Sequence, residues 1–152
     1  MRITQYSDYS LRVLIYLDVK DGDRATIQDI ATAYGISKNH LMKVVNQLTQ
    51  LGYIRAIRGK QGGISLARPA SEINLGVLLR ETEQDMGLVE CFRPGNQCAI
   101  TPVCRLTHIL KEALEAFLAV LDGYTLADLV QHQHQDAMAR LLNIEPIRMP
   151  TD

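Results

Sequence analysis

Between Thr26 and Gly52 two helix-forming segments are separated by a single glycine and an isoleucine. Thr26 stands where an N-cap belongs, at the head of T-I-Q-D-I-A-T-A-Y, and Gly35 stops that segment. Ile36 follows, and Ser37 then caps S-K-N-H-L-M-K-V-V-N-Q-L-T-Q-L, which Gly52 ends. Two helices held so close by a glycine turn can fold in few ways, and the pattern is that of a helix-turn-helix. Ahead of it, Leu11, Leu14, Ile15 and Leu17 form the apolar stripe of another helix, with Thr4 or Ser7 as its cap.

In the segment after Ser37, Leu41, Val44, Val45, Leu48 and Leu51 recur at helical spacing and form the face to be buried. The outer face keeps Ser37, Lys38, Asn39, His40, Lys43, Asn46 and Gln47. Side chains of these types bond base edges and phosphates, and a helix N-terminus adds N–H groups that favour a phosphate. A solvated amphipathic helix carries such residues too, so the next segment matters. Y-I-R-A-I-R alternates as a strand, G-K-Q-G-G makes a tip, and I-S-L-A-R returns to Pro69. A hairpin directly after a recognition helix is a wing, with Arg58, Gly59, Lys60 and Gln61 at its tip, suited to the DNA backbone or minor groove. The tip lacks the G-x-x-x-x-G-K-[ST] spacing of a nucleotide-phosphate loop.

The net charge of −1 hides a polar chain. Residues 1–68 hold ten Lys and Arg against five Asp and Glu, whereas residues 69–152 hold six against twelve. From Lys38 to Arg68 there is no carboxylate, which is the footprint of a surface that faces phosphates. An apolar fraction of 47% suffices for a core. No run approaches the roughly 20 apolar residues of a membrane span, and no signal-peptide core is present, so a cytoplasmic protein with no membrane partner is expected.

Beyond Pro69, E-I-N-L-G-V-L-L-R-E-T-E reads as a connector helix across the back of the wing. Residues 85–101 lose periodicity. Thr101-Pro102 then looks like the start of a long helix that runs to Leu121 or Asp122 and closes at Gly123. Its stripe of Val103, Leu106, Leu110, Ala113, Phe117 and Leu121 is widened by Ile109, Ala116 and Val120. A helix so apolar wants cover on two sides, and a second copy of itself provides the second. Thr125 caps a short helix, T-L-A-D-L-V, and Q-H-Q-H-Q-D after it reads as a frayed polar end rather than a metal tract through His132 and His134. The fold expected is mainly α with a small β-hairpin wing. Its divisions are a winged helix-turn-helix region (1–68), a connector (69–84), a cysteine loop (85–104), a dimerisation helix (102–123), and a C-terminal helix and tail (124–152).

The three cysteines of the chain, Cys91, Cys98 and Cys104, all lie in that loop and at the helix start. In a reducing compartment an odd number of clustered thiols points to metal or redox chemistry rather than disulfides. The spacings, C-x6-C and C-x5-C, are wider than the C-x2–4-C of structural zinc, although a Cys3His site with His108 is open. A thiol redox switch is compatible with the loop. So is an iron–sulfur cluster, which prefers thiolates and tolerates wide spacing. No nucleophile–base constellation indicates an enzyme.

Nearly the whole chain resembles the NsrR-type nitric-oxide-sensitive repressors, within the winged-helix iron–sulfur regulators that include IscR. The likeness is carried by T-Q-Y-S-D-Y-S-L-R-V-L-I-Y-L, I-A-T-A-Y-G-I-S-K-N-H-L-M-K-V-V-N-Q-L, R-G-K-Q-G-G-I-S-L, L-V-E-C-F, C-A-I-T-P-V-C-R-L and T-L-A-D-L. The resemblance implies a homodimer that binds a double-stranded DNA operator and holds one iron–sulfur cluster per subunit through Cys91, Cys98 and Cys104. It favours a [4Fe–4S] form over [2Fe–2S]. It also implies a fourth ligand from the other subunit at the start of the first helix, here Asp8. Read from the residues alone, Asp8 is a first-turn acid complementing the helix dipole. His108 is the alternative ligand, one residue beyond the position that IscR-like relatives use. The implied function is repression relieved when nitric oxide nitrosylates or removes the cluster. The rival readings are an iron-status or redox regulator of the same family and a zinc- or thiol-based winged-helix regulator.

Overall fold

A computed structural model describes residues 2–145. Helix α1 (Gln5–Val19) is capped by Thr4, whose hydroxyl accepts from the Ser7 N–H at 3.2 Å. Its buried face runs through Ser7, Ser10, Val13, Leu14 and Leu17, while Leu11 and Ile15 are half-buried at its margins. The stripe is thus rotated from the one expected, because two serines occupy core positions that apolar counting skips. Ser10 satisfies itself on the Tyr6 carbonyl at 2.9 Å. Ser7 donates to Thr82 at 2.9 Å. Both hydroxyls can therefore be buried without an unpaired donor.

Helices α2 (Ile27–Tyr34) and α3 (Lys38–Gln50) form the helix-turn-helix. Thr26 and Asp29 make a reciprocal capping box, and Gly35 closes α2 in the left-handed region at φ 64°. Leu41, Val44, Val45 and Leu48 of α3 are buried against α1 and α2, with Leu51 half-buried at its end. Strands β1 (Ile54–Ile57) and β2 (Gly63–Leu66) pair antiparallel, Ile54 opposite Leu66 and Ile57 opposite Gly63. Ala25, ahead of α2, adds a bridge to Ile64, with hydrogen bonds of 3.0 and 2.8 Å. The wing is thereby fastened to the helix-turn-helix as well as following it.

Helix α4 (Leu75–Thr82) packs between α1 and α5 (Arg105–Asp122) rather than across the back of the wing. A hydrogen bond from the Tyr53 hydroxyl to Glu81 joins it to the residue that precedes β1. Thr101–Val103 forms a separate 3-10 turn, so α5 begins later than expected, with Cys104 as its N-cap. Pro102 favours the turn, but extended backbone at Cys104 breaks it from the helix.

Helix α5 carries two apolar faces. Leu110, Leu114, Phe117, Leu118 and Leu121 are covered to varying degrees within the chain. Leu106, Ile109, Ala113, Ala116 and Val120 are exposed, and their alternating spacing of three and four residues is that of a coiled-coil seam. The expected single stripe is in fact these two, divided between the chain's own core and solvent. Two further helices follow, α6 (Leu126–Leu129) and α7 (His132–Leu141). The Q-H-Q-H-Q-D run is the first turns of α7, not a frayed end, because Met138, Ala139 and Leu142 anchor that helix on the core beside α1. Among the described residues no helix is long and apolar enough to cross a membrane.

Candidate functional site

The residues expected to read DNA lie along α3 and at the wing tip. Ser37, Lys38, Asn39, His40 and Lys43 are all exposed on the N-terminal half of α3, and Ser37 spends no side-chain hydrogen bond on capping. Asn46 is exposed and Gln47 half-buried further along the helix. Arg58, Gly59, Lys60 and Gln61 are exposed at the wing tip. The tip is tight. Gly59 sits at φ 108°, and a Cβ on Gly62 would lie 2.4 Å from the Ile57 carbonyl oxygen. Arg68, stacked 4.4 Å over the Tyr53 ring, donates to the Leu51 and Gly52 carbonyls and ties the wing's return strand to the end of α3.

The cysteine loop is the second site. Cys91 lies in a short 3-10 turn (Glu90–Phe92), Cys98 is exposed, and Cys104 caps α5. Two of the thiols meet on one residue. Cys91 Sγ is 3.3 Å from the Thr107 hydroxyl. The backbone N–H groups of Thr107 and Leu106 hold the Cys104 thiol below the ordinary value, with help from the Thr107 hydroxyl. The loop between is braced by its own side chains: Asn96 donates to Thr101 at 2.7 Å, Thr101 to the Cys98 carbonyl at 2.8 Å, and Glu90 accepts from the Gln97 N–H at 3.0 Å. Among the described residues no three His, Cys, Asp or Glu side chains are gathered closely enough to hold a metal ion. The donor chemistry, three thiols on a loop that opens at a helix N-terminus, fits a soft, thiolate-bound group.

Asp8 is held elsewhere within the chain. Its carboxylate pairs with Arg12 one turn on, at 3.0 and 3.2 Å, and Arg12 also lies over the rings of Tyr9 and Tyr34. That cluster adjoins Gly35 and Ile36, the turn of the helix-turn-helix. His108 is exposed on α5. Residue reading missed Thr107 and Arg12. Both had a signal, since Thr107 is the N3 residue of a helix capped by Cys104, and Arg12 stands four residues from Asp8.

The Rrf2 family, described as iron-dependent transcriptional regulators, matches residues 3–132. The chain belongs to the Rrf2 family. Among its relatives, the HTH-type transcriptional regulator NsrR of Geobacillus kaustophilus is 55% identical over 133 residues, spanning 86% of this chain and 90% of that one. NsrR of Bacillus subtilis is 53% identical over 143 residues, 93% of this chain and 97% of its own. Of solved structures, oxidised CymR of Staphylococcus aureus superposes with a TM-score of 0.69 at 28% identity, covering 87% of this chain and 98% of CymR. The Rrf2 membership and the names of these relatives are those of transcription regulators, not enzymes, and the mainly helical fold with one antiparallel hairpin is shared with the winged-helix regulators of the family.

Proposed function

We propose that this Rrf2 protein is a cytoplasmic, homodimeric transcriptional repressor that binds operator DNA and senses nitric oxide through an iron–sulfur cluster. The observation that carries the reading is the pairing of Cys91 and Cys104 over Thr107, at the head of the helix whose exposed seam calls for a second copy. Cys91, Cys98 and Cys104 would hold the cluster, [4Fe–4S] in preference to [2Fe–2S], with Asp8 of the other subunit as fourth ligand and His108 as the alternative. When bound, such a cluster supplies thiolate-ligated iron, which reacts with nitric oxide at the expense of its protein ligands. Likeness to the NsrR regulators over most of the chain supports this signal over iron status or a zinc-only role.

The chain's own residues offer a path from the cysteine loop to the DNA face. Thr107 and Leu106 present N–H groups to the Cys104 sulfur, so a thiolate released from the cluster would keep hydrogen-bond partners in place of iron. At the other end of α5, Arg80 of α4 donates to both oxygens of Asp122 at 2.5 and 2.8 Å. Thr82 of α4 accepts from Ser7 of α1, and Glu83 accepts from the Thr4 N–H at 2.7 Å. Helix α1 packs on α3. A shift of α5 or of the Asp8 end of α1 therefore moves the recognition helices, and with them the half-site spacing of about 34–36 Å that a two-fold dimer must match. Lys38, Lys43, Arg58 and Lys60 would contact phosphates, while Ser37, Asn39 and His40 would meet base edges, with Gly59 and Gln61 completing the wing contact.

The test uses duplex DNA selected from a random pool by the anaerobically purified protein. Retention of that DNA, lost on adding nitric oxide and absent in Cys91→Ser, Cys98→Ser and Cys104→Ser variants, is the expected result. Equal binding by wild type and all three variants, with or without nitric oxide, would remove the sensor from the reading.

A further inference from the structure

The wing tip carries a cation that comes from another part of the chain. Arg24, two residues before the cap of α2, donates one N–H to the Gln61 carbonyl at 2.5 Å. The Ala25–Ile64 bridge fixes its backbone against β2. Gly63 leaves the room for this: a Cβ there would stand 3.0 Å from both the Arg24 Cβ and the Ala25 carbonyl oxygen. Arg24 is exposed and has no carboxylate within ion-pair distance among the described residues, although Asp23 precedes it. A guanidinium has five N–H donors, and here one is committed. The committed donor points the group at the segment that also holds Arg58 and Lys60.

We propose that Arg24 is a phosphate-contacting residue of the DNA interface, preset at the wing tip by its bond to Gln61. The proposal rests on the reading of the winged domain as a DNA binder. It adds to that reading a charge that neither the recognition helix nor the hairpin contains. A planar, always-charged fork with free donors suits a phosphate oxygen, and fixing it beforehand lowers the entropy lost on binding.

Phosphate contacts are counted by the salt dependence of binding, whatever the sequence. The probe is a fluorescein-labelled duplex of mixed sequence, titrated with the full chain across a range of sodium chloride concentrations. Arg24→Gln removes the charge and keeps a polar side chain, so the slope of log affinity against log salt should fall in magnitude by about 0.9 for each wing engaged. Arg24→Lys should keep the wild-type slope, and Lys111→Gln, an equal charge loss on α5, should leave it unchanged. Arg24→Met, uncharged and unbranched, gives a second reading if Gln disturbs the fold. Lys60→Ala distinguishes the two ways of failing. An unchanged slope for Arg24→Gln and Arg24→Met beside a reduced one for Lys60→Ala overturns the role of Arg24 alone. Unchanged slopes for all three overturn the wing's contact with DNA and the proposal with it.

Discussion

Replacing Ile109 with alanine should separate the two jobs of α5. Ile109 lies in the exposed seam and is 54% exposed in the single chain, so its loss leaves the chain's own core intact. The substitution removes three carbon groups at about 0.8 kcal/mol each if fully transferred from water. Scaled by the 54% that a partner could cover, this is about 1.3 kcal/mol per copy. A two-fold interface counts the residue twice, giving about 2.6 kcal/mol, or a dimer constant weakened about seventyfold. Sedimentation velocity over a dilution series measures the shift. Leu118→Ala is the contrast: Leu118 is buried on the other face, and its loss should cost the fold about 2–5 kcal/mol. A dimer constant changed less than about threefold by Ile109→Ala, or a wild-type chain monomeric at micromolar concentration, would refute the assignment of this seam to a second copy.

Three further outcomes are expected. Burial, aided by Asp21, raises the Asp18 carboxyl to about 6. Its folded value is above the unfolded one, so its stability is fully present below about 4 and is lost as pH rises through 6. Asp18→Asn should thus gain about 1 kcal/mol over wild type at pH 8, after allowance for solvent screening, and little at low pH, as read by urea unfolding. Thr82→Val removes the nearer partner of the buried Ser7 hydroxyl, leaving Thr4 at 3.2 Å, and should lower stability by about 1 kcal/mol in the same assay. Gly62→Ala forces a Cβ against the Ile57 carbonyl, so the tip must open. Binding to mixed-sequence duplex should weaken while the thermal midpoint of the core moves by only a few degrees.

The winged module was legible because its signals are local. Thr26, Gly35 and the glycine-rich tip each dictate backbone geometry within a few residues, and the structure follows them. What escaped reading depends on partners distant in sequence. Ser7 and Ser10 count as polar until Thr82 and the Tyr6 carbonyl satisfy them, and only then does the buried face of α1 make sense. The apolar surplus of α5 was visible, but its division into an inner and an outer face is set by where α4 lies. The start of α5 was misplaced because Thr101-Pro102 is a sound helix opening, and nothing local marks the break at Cys104. The three cysteines declared a site. Thr107, where two of them meet, needed the turn of the helix to be seen.

One measurement bears hardest on the sensor reading: the visible absorption spectrum of the chain purified without oxygen, with iron and sulfide counted per chain, before and after nitric oxide. A brown protein with about four irons, its spectrum bleached or shifted by nitric oxide, is the predicted result. A colourless protein holding zinc or no metal would contradict the iron–sulfur sensor and leave a winged-helix DNA binder governed by something else.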